Sequence, residues 1–336
     1  MTQAPIRPLD GLRAVAVMLV LLLHFGYLNG GWIGVQLFFV LSGFLITGVL
    51  LADRDAPLGA YLRRFYWRRT LRIFPLYYGY LAVLAVAYAA WEVPAGFSDN
   101  APALFTYTYN FTRGSDFHPS PFFTHFWSLA VEEQFYLVWP FLVHALSRRA
   151  LVGLSAALVA LLRVADRVAR PGLVAAMAVT GVAAAGLVNL RALRGAGADL
   201  PLGTMGFPLA SVDHGAHVWG YTVLNLAAAA LVAAAVGAHR GGGIVSGLGW
   251  GPLAGLGKIS YGVYVLHWPL LVLFNASVRY RPMTVRGALM CAGWSALVCG
   301  VAWLSWRFYE SPLLALKSRG WGREIRPRPG EGGPGP

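Results

Sequence analysis

Four groups of residues in this chain pair ionisable or hydrogen-bonding side chains with a spacing that gathers them on one side of a helix. Arg13 and His24 are eleven steps apart, so at about 100° and 1.5 Å per residue they return to nearly one face with about 16 Å between them. An imidazole near the far end of an apolar run is a candidate proton acceptor; its bland alternative is a ring satisfied by a neighbouring helix. Arg64, Arg68 and Arg72 recur every four residues, with Arg69 three before Arg72. Their guanidinium forks suit phosphate oxygens, and the ordinary alternative is a basic topology anchor helped by Tyr66 and Trp67. Ser128, Glu132 and Tyr136 fall on one face of a third segment, with Glu133 about 100° away. Carboxylates there need partners, either reacting groups or an arginine of another helix. Ser260, Tyr264 and His267, at i, i+4 and i+7, form a fourth stripe that faces a polar interior feature.

The elements that must position these groups are apolar. The chain is 57% hydrophobic and 12% charged, against about 25% charged residues in a soluble domain, which excludes a water-soluble globule. Runs long enough to cross a bilayer cover Leu12–Leu28, Trp32–Ala52, Ile73–Trp91, Phe126–Leu146, Gly172–Leu190, Trp219–Ala238, Ile259–Ala276 and Val285–Phe308. The shorter run Leu151–Leu162 is a tilted span, a re-entrant piece or a surface helix. The fold expected is an all-α, polytopic transmembrane helix bundle of about 8–10 spans. The net charge of +13 gathers in a loop at 53–72 and in a tail with Arg319, Arg323, Arg326 and Arg328. Both favour the cytoplasm and an even number of spans, with Glu92–His125 outside; Arg279–Arg286 then also falls outside, against the charge rule.

The first 28 residues read as a retained helix, because Asp10 and Arg13 precede the run and no small-residue cleavage site follows it. The Pro- and Gly-rich end predicts a membrane domain over residues 1–316 and a disordered cytoplasmic tail over 317–336. Cys291 and Cys299, eight apart in one run, are too distant to bridge. His118, His125, His214 and His217 fall in predicted loops without metal-site spacing, so no metal is expected. No basic face with stacking aromatics lies outside the spans, so no nucleic acid is expected either.

Seven strings, taken in order, resemble the acyltransferase-3 family of bacterial integral-membrane O-acyltransferases. They are Leu9-Asp-Gly-Leu-Arg-Ala14, the Arg13/His24 spacing, Gly34-Val-Gln-Leu-Phe-Phe-Val-Leu-Ser-Gly-Phe44, Arg69-Thr-Leu-Arg72, Phe126–Pro140, Gly257–Pro269 and Tyr309-Glu-Ser-Pro312. The resemblance covers the first 147 residues and the last 60 or so. Family members carry Arg-x-Asp in the middle region, where this chain has Asp213 after Ser211 and no arginine before it.

The resemblance implies a multi-pass bacterial inner-membrane enzyme moving an acyl group, above all acetyl, from acyl-CoA to a hydroxyl of a glycan, another cell-envelope component or a secondary metabolite. Carried onto matching positions it implies Arg13 and His24 as the catalytic pair, with His24 as general base, and Arg69 and Arg72, with Arg68 beside them, as the donor-binding feature. Glu132 or Glu133 would orient the imidazole. Ser128 and Tyr136 would bind the acceptor, and Tyr264 or His267 would line its path or relay a proton. No Ser-His-Asp set or nucleophile elbow is visible, which leaves direct transfer and an acylated intermediate both open. The competing readings are a transporter or flippase for a glycan precursor or metabolite, which predicts internal repeats not visible by eye, and a non-catalytic scaffold.

Overall fold

A computed structural model of the chain describes residues 6–112, 120–147, 150, 216–241, 244–277 and 283–319. The expected span Gly172–Leu190, the short run Leu151–Leu162, His118, His214, Asp213 and residues 320–336 lie outside them. Among the described residues the fold is helical and without strands. In chain order it comprises α1 (Arg7–His24), α2 (Ile33–Ala52), α3 (Leu58–Trp91), α4 (Phe97–Phe105), α5 (Trp127–Ala145), α6 (Ala216–Gly241), α7 (Gly251–Ser277), α8 (Val285–Ser305) and α9 (Ser311–Arg319).

α1 is the axis of the bundle. Pro8 in its first turn and Asp10 beside the exposed N–H groups suit a helix start. Leu9, Leu12, Ala14, Ala16, Val17, Val20 and Leu21 are all buried, so this helix has apolar neighbours on nearly every side. Its neighbours come close because they present glycine. A Cβ on Gly34 of α2 would run into the carbonyl oxygen of Ala16, and one on Gly257 of α7 into that of Asp10. In a bilayer, where apolar burial does not drive helices together, such small-residue contacts let the backbones pack.

The outer surface is inverted relative to a soluble protein. Val83 and Val86 on α3, Leu137 on α5 and Leu289 on α8 are each between 62 and 70% exposed, which costs nothing against lipid tails and a great deal in water. Among the described residues four helical segments are long and apolar enough to cross a membrane: Ile33–Ala52, Leu58–Trp91, Gly251–Phe274 and Val285–Leu316. At about 1.5 Å per residue, 20 residues reach across the roughly 30 Å hydrocarbon layer.

Three expectations need correction. The arginine-rich stretch 53–72 is not mainly a loop: α3 runs unbroken from Leu58 to Trp91 and carries all of Arg63 to Arg72. Arginine is a good helix former, nothing in 58–72 breaks a helix, and Pro75 sits within it without ending it. Helix α7 begins at Gly251, eight residues before the predicted Ile259, and α8 passes through a π-helical turn, Trp306–Glu310, into α9. His217, expected in a loop, lies on α6.

Candidate active site

The two ends of α1 open on two cavities. Arg13, Arg69 and Arg72 line the first together with Ser42, Ser128, Glu132, Tyr136, Ser260 and Tyr264, around a volume of about 80 Å³. The second, of about 380 Å³, is lined by His24, His125, Thr124, Tyr264 and the indoles of Trp32, Trp127 and Trp268. Val35 and Tyr264 belong to both walls. Arg13 and His24 therefore share a helix but face different chambers.

In the arginine cavity the cations are held by geometry that leaves them available. Arg13 Nη1 lies 3.2 Å from Asp10 Oδ1, one helical turn away. The Arg69 guanidinium stands 5.4 Å from the centre of the Tyr136 ring, within cation–π range. Residues 69, 72 and 73 of α3 face the cavity, spanning about 100° of the helix. Arg68 lies about 90° from the centre of that arc and is exposed; it is brought to neither cavity. Three guanidinium groups close to one small volume suit an anionic ligand with phosphate or carbonyl oxygens.

Across this cavity the hydroxyls of Ser42 and Tyr136 both contact Glu132 Oε1 and each other, three contacts that share the hydroxyl protons. The i, i+4 spacing of Glu132 and Tyr136 on α5 makes that contact; Ser42, on α2, closes the cluster. Glu133 points elsewhere, as the 100° offset requires, and its Oε1 has no hydrogen-bond partner among the described residues. Neither carboxylate orients the imidazole of His24, contrary to expectation. Both sit toward the arginine end, and His24 has a different neighbour.

That neighbour is His267. The Nδ1 atom of His24 lies 2.8 Å from Nε2 of His267, with the ring planes 13° apart and the centroids 4.9 Å apart. Nδ1 of His267 lies 2.6 Å from the carbonyl oxygen of Tyr264. Trp268 meets the His24 ring edge-on, at 3.6 Å between centroids and 88° between planes. His267 is only 1% exposed, so it backs His24 instead of lining an acceptor path.

Tyr264 ties the chambers together. Its hydroxyl lies 2.6 Å from that of Ser128, and the two reach the His125 carbonyl at 3.0 and 3.1 Å. His125 itself is 5% exposed, with Nε2 3.1 Å from the carbonyl oxygen of Val265. The helical partner of that carbonyl would be the N–H of residue 269, which is a proline and has none. Pro269 thus frees the oxygen that anchors His125.

Sequence reasoning passed over Ser42, His125 and Glu310. Ser42 stands inside the Gly34–Phe44 string; His125 stands one residue before Phe126, with Pro269 four positions after the carbonyl it needs. Glu310 adds a third acid near the arginines, itself buried: it accepts from Ser305 Oγ at 3.1 Å, sits against Gly262 of α7, and is within electrostatic reach of Arg72. Among the described residues no cluster of three His, Cys, Asp or Glu is arranged to hold a metal.

A family model described as an acyltransferase domain, acyltransferase 3, matches residues 6–310. The peptidoglycan O-acetyltransferase OatA of Listeria monocytogenes is 41% identical over 145 residues, 39% of this chain and 23% of its own length. The Bacillus subtilis protein YrhL is 29% identical over 94% of this chain and 56% of its own. The O-acetyltransferase OatA of Staphylococcus aureus is 27% identical over 91% of this chain and 56% of its own. The chain thus spans between 23 and 56% of the length of these curated relatives. No solved structure matches.

Proposed function

The chain belongs to the acyltransferase-3 family, and from that premise we propose that it is a multi-pass inner-membrane O-acyltransferase that moves an acetyl group from acetyl-CoA to a hydroxyl of a cell-wall glycan. The observation that carries the reading is the pairing of a guanidinium-lined cavity with an imidazole-bearing one across a shared wall of Val35 and Tyr264. The names of the three relatives, all O-acetyltransferases and two of them of peptidoglycan, one of these under a provisional name, support the class of reaction and of acceptor.

In this reading the arginine end faces the cytoplasm, as the charge bias of α3 favours. Arg69 and Arg72 take the phosphates of the donor. Arg13 and the Ser42–Tyr136–Glu132 cluster lie beside the thioester. The acceptor hydroxyl enters the histidine cavity and meets the thioester carbonyl at the shared wall of Val35 and Tyr264. His24 removes its proton while the oxygen attacks the thioester carbonyl; the tetrahedral intermediate then expels the CoA sulfur, which takes the proton back from the imidazolium. One ester C–O bond forms, one C–S bond breaks, and free CoA leaves as the thiol.

The test is thiol release from acetyl-CoA by the purified protein, with and without soluble glycan strands, and mass analysis of the glycan. His24→Ala should remove acetyl transfer while expression and the size-exclusion profile hold. Transfer that survives in that variant would eliminate His24 as the base. Absence of CoA release and of acetylated glycan in the wild type, together with glycan flux into vesicles, would support the transporter reading instead.

A further inference from the structure

We propose that His267 is a positioning residue that fixes the tautomer of His24, so that the lone pair needed for proton removal is on His24 Nε2. The inference rests on His24 acting as the base, and it follows from the order of donors and acceptors along three groups. The first is the carbonyl oxygen of Tyr264, which can only accept. His267 Nδ1, 2.6 Å away, must therefore be an N–H donor. With its one proton on Nδ1, neutral His267 presents Nε2 as an acceptor.

The second link is the 2.8 Å contact between His267 Nε2 and His24 Nδ1. An acceptor on one side requires a donor on the other, so His24 carries its proton on Nδ1 and its free lone pair on Nε2. The rings meet edge to edge in nearly one plane, 13° apart, which is the orientation of an N–H···N bond and not of a face-to-face stack. The edge-on indole of Trp268 holds the His24 ring against rotation. No carboxylate bonds to either ring among the described residues, so the relay works on neutral imidazoles. A backbone carbonyl here does for His267, and His267 for His24, what a buried carboxylate does for the histidine of a serine protease.

The geometry predicts an order among substitutions that packing alone does not. His267→Gln keeps an acceptor oxygen in reach of His24 Nδ1 and should hold kcat within about tenfold. His267→Lys, in its ammonium form, offers only donors. It forces the His24 proton to Nε2 and should lower kcat by about 10³- to 10⁴-fold, the scale seen when a catalytic imidazole is held in its wrong tautomer. His267→Leu, which imposes no tautomer, should fall between. The KM for acetyl-CoA should not move in any of them. Equal losses in the Gln and Lys variants would overturn the proposal, as would a Leu variant as active as the wild type.

Because a buried lysine can prevent folding, the wild type is also examined directly. With ¹⁵N-labelled histidine in lipid nanodiscs, the signals lost in His24→Asn should comprise a protonated Nδ1 and an unprotonated Nε2. The reverse assignment would sink the relay even if every variant aggregates. A His24→Ala variant that keeps full transfer would be a different failure, that of the base itself, and would leave the tautomer result standing as structure without function.

Discussion

The apolar part of the arginine cavity's wall sets a limit on the acyl group. Butyryl adds two methylenes that must push into Leu41, Ile73, Leu129 and Phe39, which form the apolar part of the wall. Forcing extra methylenes into a packed site costs about 1–3 kcal/mol. At about 1.4 kcal/mol per factor of ten, kcat/KM for butyryl-CoA should fall about 5- to 150-fold below that for acetyl-CoA. The assay is competition between the two thioesters at equal concentration, reading the mass of the acylated product. Phe39→Ala, at a partly buried wall position, should shift the ratio toward butyryl. Equal use of both donors by the wild type would show that the acyl group does not react from this cavity, and the two-chamber arrangement would lose its donor side.

Other consequences follow from particular contacts. Arg69→Ala combined with Arg72→Ala should raise the KM for acetyl-CoA at least tenfold and flatten its dependence on salt, whereas Arg68→Ala, exposed and outside the cavity, should change it less than twofold; kinetics across a range of NaCl concentrations check both. Gly34→Ala puts a methyl group against the Ala16 carbonyl and should cost about 1–3 kcal/mol of stability, while Gly43→Ala on the same helix, with nothing within 4 Å, should be neutral; thermal unfolding in detergent separates them. Pro269→Ala restores an N–H that competes with His125 for the Val265 carbonyl, so transfer should drop while the melting temperature holds or rises; a fall in both would mean that the proline serves α7 alone.

Much of this was legible before any coordinates. Apolar runs of about 20 residues leave a chain few alternatives in a bilayer, and seven of the eight expected spans coincide with described helices for that reason. The 100° rule placed Glu132 with Tyr136 and turned Glu133 away, as found. It could not say what stands opposite. Ser42 and Glu132 are 90 residues apart, and His24 and His267 are 243 apart; a single sequence carries periodicity, not pairing. The continuity of α3 was missed because charge was weighed above helix propensity, although arginine is at home in a helix. His125 was missed because its role depends on a carbonyl freed by a proline 144 positions later, a signal visible only once α7 is known to pass beside it.

Tyr264 is where the two chambers are coupled, and the coupling has a direction. Its ring stands in both walls, its hydroxyl bonds to Ser128 and to the His125 carbonyl, and its own carbonyl starts the chain of hydrogen bonds through His267 to His24. Tyr264→Phe deletes the hydroxyl but leaves the carbonyl, so the wall loosens while the tautomer of His24 is kept. The variant should therefore lose acyl transfer less steeply than His24→Ala, because only the positions of Ser128 and His125 change, at about 1–3 kcal/mol for the buried partners left unsatisfied. It should also leak, with more acetyl-CoA hydrolysed to acetate for each acetyl group delivered to glycan, since an opened wall admits water to the thioester. The ratio of acetate to acetylated glycan is the quantity to measure; a ratio unchanged from the wild type would show that the hydroxyl of Tyr264 braces the bundle and does not separate the chambers.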